Sequence, residues 1–159
     1  MALQGGSAEE RVKALGIELG EGPSPLGAYV EAVETGRLLF LSGVLPVADG
    51  KPAFVGRIGK ELTAEEGRAA ARVAAVNVLA AARKKLGSLD KVTRVVRLGV
   101  FLASAGEYDM PRVADGASEL LRDVFGEERL PVRSVIGVAS LPLGMPVELE
   151  VTMEVGAER

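Results

Sequence analysis

The sequence predicts an α+β domain in which a mostly antiparallel, mixed sheet of six strands carries two main helices on one face. Three observations predict it. The segment Val147 to Val155 alternates strictly, with Val147, Leu149, Val151, Met153 and Val155 pointing one way and Glu148, Glu150, Thr152 and Glu154 the other, the period-two pattern of a half-covered strand. Two segments, Thr63 to Leu86 and Asp109 to Gly126, carry helical spacing and end signals instead. The order hairpin, long helix, strand, helix, paired strands then leaves both helices to cover a single face.

Taken in order, Ser7 to Leu15 opens with Ser7 and Glu10 at capping-box spacing and places Val12 and Leu15 on one face, which predicts a short helix. Gly20 to Gly27 is rich in Gly and Pro and reads as a loop, so residues 1–25 form an N-terminal extension of one domain spanning 1–159. Tyr29 to Val33 and Arg37 to Ser42 read as a hairpin turning at Glu34-Thr35-Gly36. Asp49-Gly50 marks another turn, with a third short strand between Lys51 and Glu61. Thr63 and Glu66 form a second capping box before an Ala-rich helix that Gly87 ends. Val92 to Leu102 reads as a strand with Val92, Val96, Leu98, Val100 and Leu102 on one side. Asp109 and Pro111 open the second long helix, Ser134 to Ala139 is a strand, and Leu141 to Pro146 turns into the last strand.

Composition narrows the chemistry. The chain has no Cys and no His. Disulfides, Cys–His and Ser–His–Asp catalysis and the usual zinc sites are therefore excluded, and proton transfer falls to carboxylates, Lys, Tyr, hydroxyls, backbone or water. No metal or cofactor is expected. A net charge of -3, with basic residues not clustered among aromatics, gives no field that would draw nucleic acid. No apolar run is long enough to span a bilayer, and Met1 to Gly20 lacks a basic stretch followed by an apolar one, so the protein is expected in the cytoplasm. A single Asn and a single Gln match the depletion of thermolabile residues in proteins from hot environments, and a thermostable protein is expected.

A few residues carry chemistry by type and place. Arg133, just ahead of the Ser134 strand, offers a planar fork for a carboxylate. Glu148 and Glu150 share a strand face and can orient water or move a proton. Tyr29 offers a ring wall and a hydroxyl; Ser42-Gly43 and Gly27 offer main-chain N–H groups. Singly, each reads more simply as a solvated arginine, a solvated strand face, ordinary packing or turn geometry. The uncovered sheet face and its edges invite association with further copies of the chain.

Together, the segments Leu26-Gly27-Ala28-Tyr29, Leu39 to Pro46, Val100-Phe101-Leu102 and Pro131 to Pro142, followed by Val147-Glu148-Leu149-Glu150, resemble the YjgF/RidA family. The leading Ala-Glu-Glu-Arg helix and Gly137 to Gly144 are similar to a less studied branch of it. The resemblance implies a chorismate-mutase-like fold of the bacillary type, a homotrimeric barrel, and clefts between subunits that take small carboxylate metabolites. It implies that Arg133 holds the substrate carboxylate and Glu148 positions the attacking water, while Tyr29, Gly43, Val135 and Ser118 line the cleft. Ser118 lies in the stretch where well-studied members carry an Asn; a Cys common in the family is replaced by Val135.

The activity implied is hydrolysis of reactive enamines and imines, such as 2-aminoacrylate, to 2-keto acids and ammonia. A metabolite-binding role without turnover is the alternative, endoribonuclease activity a third reading and chorismate mutase activity a fourth. Phosphodiester cleavage without His lacks its usual base.

Overall fold

The computed structural model describes residues 5–156. Residues 1–4 of the N-terminal extension and 157–159 at the other end of the expected domain lie outside the described residues. Helix α1 (Ala8–Ala14) begins with the expected capping box between Ser7 and Glu10. Glu9 ties it down: its main-chain N–H donates to Asp90 Oδ1, and its carboxylate accepts from Leu89 N and Arg83 Nη1 at 2.9 and 3.2 Å. Val12 is buried beneath.

Strands β1 (Ala32–Thr35) and β2 (Leu38–Leu41) form the first hairpin, which turns at Gly36-Arg37. The expected strand from Tyr29 starts three residues later, at Ala32. Local bonds hold the stretch ahead of it in a bend: Tyr29 N donates to Gly27 O, and Leu26 N donates to the Tyr29 hydroxyl at 2.9 Å. Asp49 and Gly50, with φ of 52° and 74°, turn β3 (Val47–Ala48) into β4 (Lys51–Pro52). Both central residues at positive φ match the twist of a two-residue hairpin.

Helix α2 (Ala64–Leu86) carries its Thr63–Glu66 capping box and ends at Gly87, which is left-handed at φ 84°. Strand β5 (Val92–Ala103) leads into α3 (Met110–Phe125), then β6 (Val132–Val138) and β7 (Val147–Val155). The sheet runs β1-β2-β7-β5-β6, antiparallel except for the parallel β5–β6 pair that α3 connects. The mixed, mostly antiparallel sheet with two long helices is as expected. The count is not: among the described residues the sheet has five strands, because β3 and β4 pair only with each other. Pro52 has no N–H to extend that ribbon.

The core lies between the helices and one sheet face. Val147, Leu149, Val151, Met153 and Val155 are all buried, as the alternation requires. Ala70, Ala71, Ala74 and Ala75 of α2 are buried too, and a Cβ on Gly116 of α3 would stand 2.2 Å from Arg68 O. The two helices thus meet almost backbone to backbone. In β5 the simple alternation fails, since Val95 is buried in place of Val96. Register shifts at Val92/Arg94 and Val95/Arg97 leave Thr93 and Val96 as extra residues, each a bulge that turns the next side chain over.

Among the described residues, no layer covers the opposite sheet face. Cross-strand partners there include Val33 with Phe40 and Phe101 with Ile136, and Val33, Phe40, Val132 and Ile136 are 42–66% exposed. No helix among the described residues is long and apolar enough to cross a membrane.

Candidate functional site

Arg133 lies inside β6 rather than ahead of it, because Val132 and Arg133 already pair with Arg97 and Leu98 in the parallel ladder. Its pairing with buried Leu98 turns Arg133 toward the helices. There Nη1 donates to Asp115 Oδ1 at 2.7 Å and to Ser118 Oγ at 3.1 Å. Asp115 and Ser118 stand one turn apart on α3 and face the same way. Among the described residues, Nε and Nη2 of Arg133 have no partner.

The main chain beside Arg133 is open. Val138 O accepts from Ser104 N on the β5 side, so the even residues of β6 turn their peptide groups inward. Alternate residues of a parallel strand bond to opposite sides. Arg133, Val135 and Gly137 therefore present N–H and C=O groups on the free edge, next to the guanidinium.

Glu148 is built differently. It pairs with Phe101 on the uncovered face and makes no ion pair among the described residues. Gly43, just past the end of β2, packs against its carboxyl: a Cβ there would lie 2.6 Å from Glu148 Oε1 and 2.9 Å from Cδ. Partial burial raises the Glu148 pKa above the usual carboxylate value, and the neighbouring charge of Glu150 raises it further. An elevated carboxyl pKa suits a group that must both take and return a proton.

Tyr29 stands at the β1 end, where an open groove of about 390 Å³ is lined by Pro25, Tyr29, Val30, Glu31, Lys84 and Lys85. Ser42 beside Gly43 donates through Oγ to Val30 O and through N to Glu31 O. Gly43 thus belongs to one rim with Glu148, Ser42 ties that rim to Val30 and Glu31, and Tyr29 stands farther along beside the last turns of α2. Arg133, Val135 and Ser118 belong to another. Within one chain the two do not meet: Arg133 and Glu148 are on opposite sheet faces, two strands and three residues apart, about 14 Å by strand spacing and rise.

Sequence reasoning missed Asp115. The signal was present as an acidic residue three positions before Ser118 on a helix packed over β6, and it emerges only once the strand start at Val132 turns Arg133 toward α3. Among the described residues no group of three or more His, Cys, Asp or Glu side chains is arranged to hold a metal ion.

Comparison with known proteins adds the ancestry. The model of the family described as "YjgF/chorismate mutase-like, putative endoribonuclease" matches residues 9–150. The chain belongs to the YjgF/RidA family. Protein TCP17 of Trypanosoma cruzi is 40% identical over 151 residues, covering 94% of both chains. The 2-iminobutanoate/2-iminopropanoate deaminase of Dermatophagoides farinae is 30% identical over 129 residues, covering 80% of this chain and 86% of its own. Among solved structures, a "putative endoribonuclease" from Shewanella oneidensis superimposes with a TM-score of 0.90 at 31% identity, covering 94% of this chain and all of its own. The α+β architecture with its mixed sheet is that of the YjgF/chorismate-mutase-like proteins.

Proposed function

We propose that the protein hydrolyses small 2-imino acids and their enamine tautomers to 2-keto acids and ammonia, in clefts formed where the Arg133 rim of one subunit meets the Glu148 rim of the next in a trimer. The observation that carries this reading is that a single chain holds two complementary half-sites apart. One is a cation with a free hydrogen-bonding edge, and the other is a carboxyl with a raised pKa. The exposed Val33, Phe40, Val132 and Ile136 give copies of the chain an apolar surface to bury. The naming of a relative as a 2-iminobutanoate/2-iminopropanoate deaminase supports the reaction class.

The chemistry asks little of the protein. Arg133 grips the substrate carboxylate through two parallel N–H bonds, and the main-chain N–H of Val135 adds a third donor on the same edge. Water held by Glu148 attacks the iminium carbon, forming a C–O bond as a water proton passes to the carboxylate. Glu148 returns that proton to the amino nitrogen, and then, ionised again, takes the hydroxyl proton of the intermediate as the C–N bond breaks, so that ammonia leaves and the hydroxyl oxygen becomes the keto oxygen. Positioning an already electrophilic carbon against an oriented water supplies much of the rate. Tyr29 and Gly43 shape the far wall.

The test generates 2-aminoacrylate in place with a serine dehydratase and follows pyruvate formation with wild type and Arg133→Ala, each checked for oligomeric state in solution. Acceleration by wild type alone is expected. A monomeric wild type, or equal acceleration by the variant, would overturn the shared-cleft reading. Arg133-dependent binding of a keto acid without turnover would make the protein a metabolite-binding member of the family.

A further inference from the structure

We propose that Asp115 is a positioning residue that confines Arg133 to one side-on grip on a ligand carboxylate, an inference that rests on Arg133 being the carboxylate anchor. A guanidinium has five N–H groups and two bidentate edges, end-on across Nη1 and Nη2 or side-on across Nε and Nη2. Nη1 already donates to two acceptors, Asp115 Oδ1 and Ser118 Oγ. That closes the end-on edge. Only the side-on edge, Nε with Nη2, remains without a partner among the described residues.

Of the two acceptors, Asp115 sets the orientation. Its bond is the shorter, 2.7 against 3.1 Å, and it alone of the two joins opposite charges. The fold does not depend on it. The Asp115 side chain is 44% exposed, while α3 is held by Val113, Ala114, Ala117, Leu120 and Leu121, all buried. Without Asp115, Ser118 alone leaves one Nη1 hydrogen free, and the end-on edge reopens. A carboxylate then binds in two orientations, only one of which aims the neighbouring carbon correctly.

Two substitutions separate orientation from charge. Asp115→Asn keeps an oxygen acceptor at the same place and removes the negative charge; Asp115→Ala removes both. Titration with 2-oxobutanoate, and steady-state kinetics on 2-iminobutanoate generated in place, are run on wild type, both variants and Arg133→Ala, with melting midpoints alongside. For Asp115→Ala, KM should rise about tenfold and kcat fall about threefold through misorientation. Asp115→Asn should restore both to within about threefold, because the acceptor is retained. Melting midpoints should stay within about 2 °C, as expected for a half-exposed side chain. Wild-type behaviour of Asp115→Ala overturns the proposal, and so does equal damage in both variants with lowered melting, which would mark a structural role. Failure of the anchoring reading looks different: Arg133→Ala then binds 2-oxobutanoate as wild type does, and both inferences fall together.

Discussion

The two rims each hold a polar group in place, by opposite means. On the β6 side Arg133 is fixed by explicit partners, a carboxylate and a hydroxyl from α3, on a strand edge whose peptide groups remain open. On the β7 side Glu148 has no ion-pair partner among the described residues. It is shaped by what surrounds it: a glycine that lets the backbone press on its carboxyl, partial loss of water, and a like charge two residues away. A charge held by bonds is oriented, whereas a charge held by packing is tuned. Substitutions on the first rim should therefore act through geometry, and those on the second through pKa.

The largest effect should come from Arg133→Lys. Lysine keeps the charge and loses the planar fork, so kcat/KM should fall by about 10²–10³-fold while the oligomeric state and melting midpoint stay those of wild type. Measuring turnover beside size-exclusion profiles checks this. A variant with wild-type kcat/KM would show that the rim supplies charge and not orientation.

Glu148→Gln comes next, with an expected loss of about 10²-fold in kcat from removal of the proton acceptor. It carries a second signature. A carboxyl whose folded pKa lies above its unfolded value binds protons more readily in the folded state, so its ionisation lowers stability as pH rises through the folded pKa. Glutamine avoids that penalty. At pH 7 the variant should melt roughly 1–2 °C higher than wild type, with the gap closing below the ordinary carboxylate range. Lower melting at pH 7 would mean that the carboxylate is paired in the folded protein.

How much of this was legible in the sequence follows from the same contrast. Strict alternation in Val147 to Val155 placed Glu148 and Glu150 on the face away from the core, and the cap signals located the three helices closely, because both rest on local spacing. What was missed depends on pairing. The bulges at Thr93 and Val96 appear only in the ladder with β7. The strand start at Val132, and with it the contact to Asp115, is set by parallel pairing with Arg97 and Leu98. Tyr29 falls outside β1 because a bend of local hydrogen bonds wins over its strand propensity. The roles of Arg133, Glu148, Tyr29, Gly43, Val135 and Ser118 came from family resemblance, and residue type alone would have left each as ordinary surface.

Gly43→Ala sharpens the packing side. The added methyl would meet Glu148 Oε1 at 2.6 Å, but that atom is the end of a flexible side chain. The carboxyl should swing aside at a cost below about 1 kcal/mol, typical of a surface change, while kcat falls about tenfold through misplaced water. Melting and kcat measured together test it, and unchanged kcat would show that Glu148 does not act from this position.

The smallest expected effect isolates tuning from geometry. Glu150→Gln leaves the Gly43 contact in place and removes only the neighbouring negative charge, the lesser of the two causes that raise the Glu148 pKa. If the ionised form of Glu148 holds the attacking water, kcat rises with pH through its pKa, and the acid limb of wild type lies above the ordinary glutamate range. Removing a like charge favours the ionised form, so the limb should move to lower pH, with kcat at neutral pH unchanged. Burial, the larger cause, stays, so the limb should not return fully to the ordinary value. A limb that stays where it is would show that solvent screens the pair, and a limb that disappears would show that Glu150 and not Glu148 titrates in the reaction.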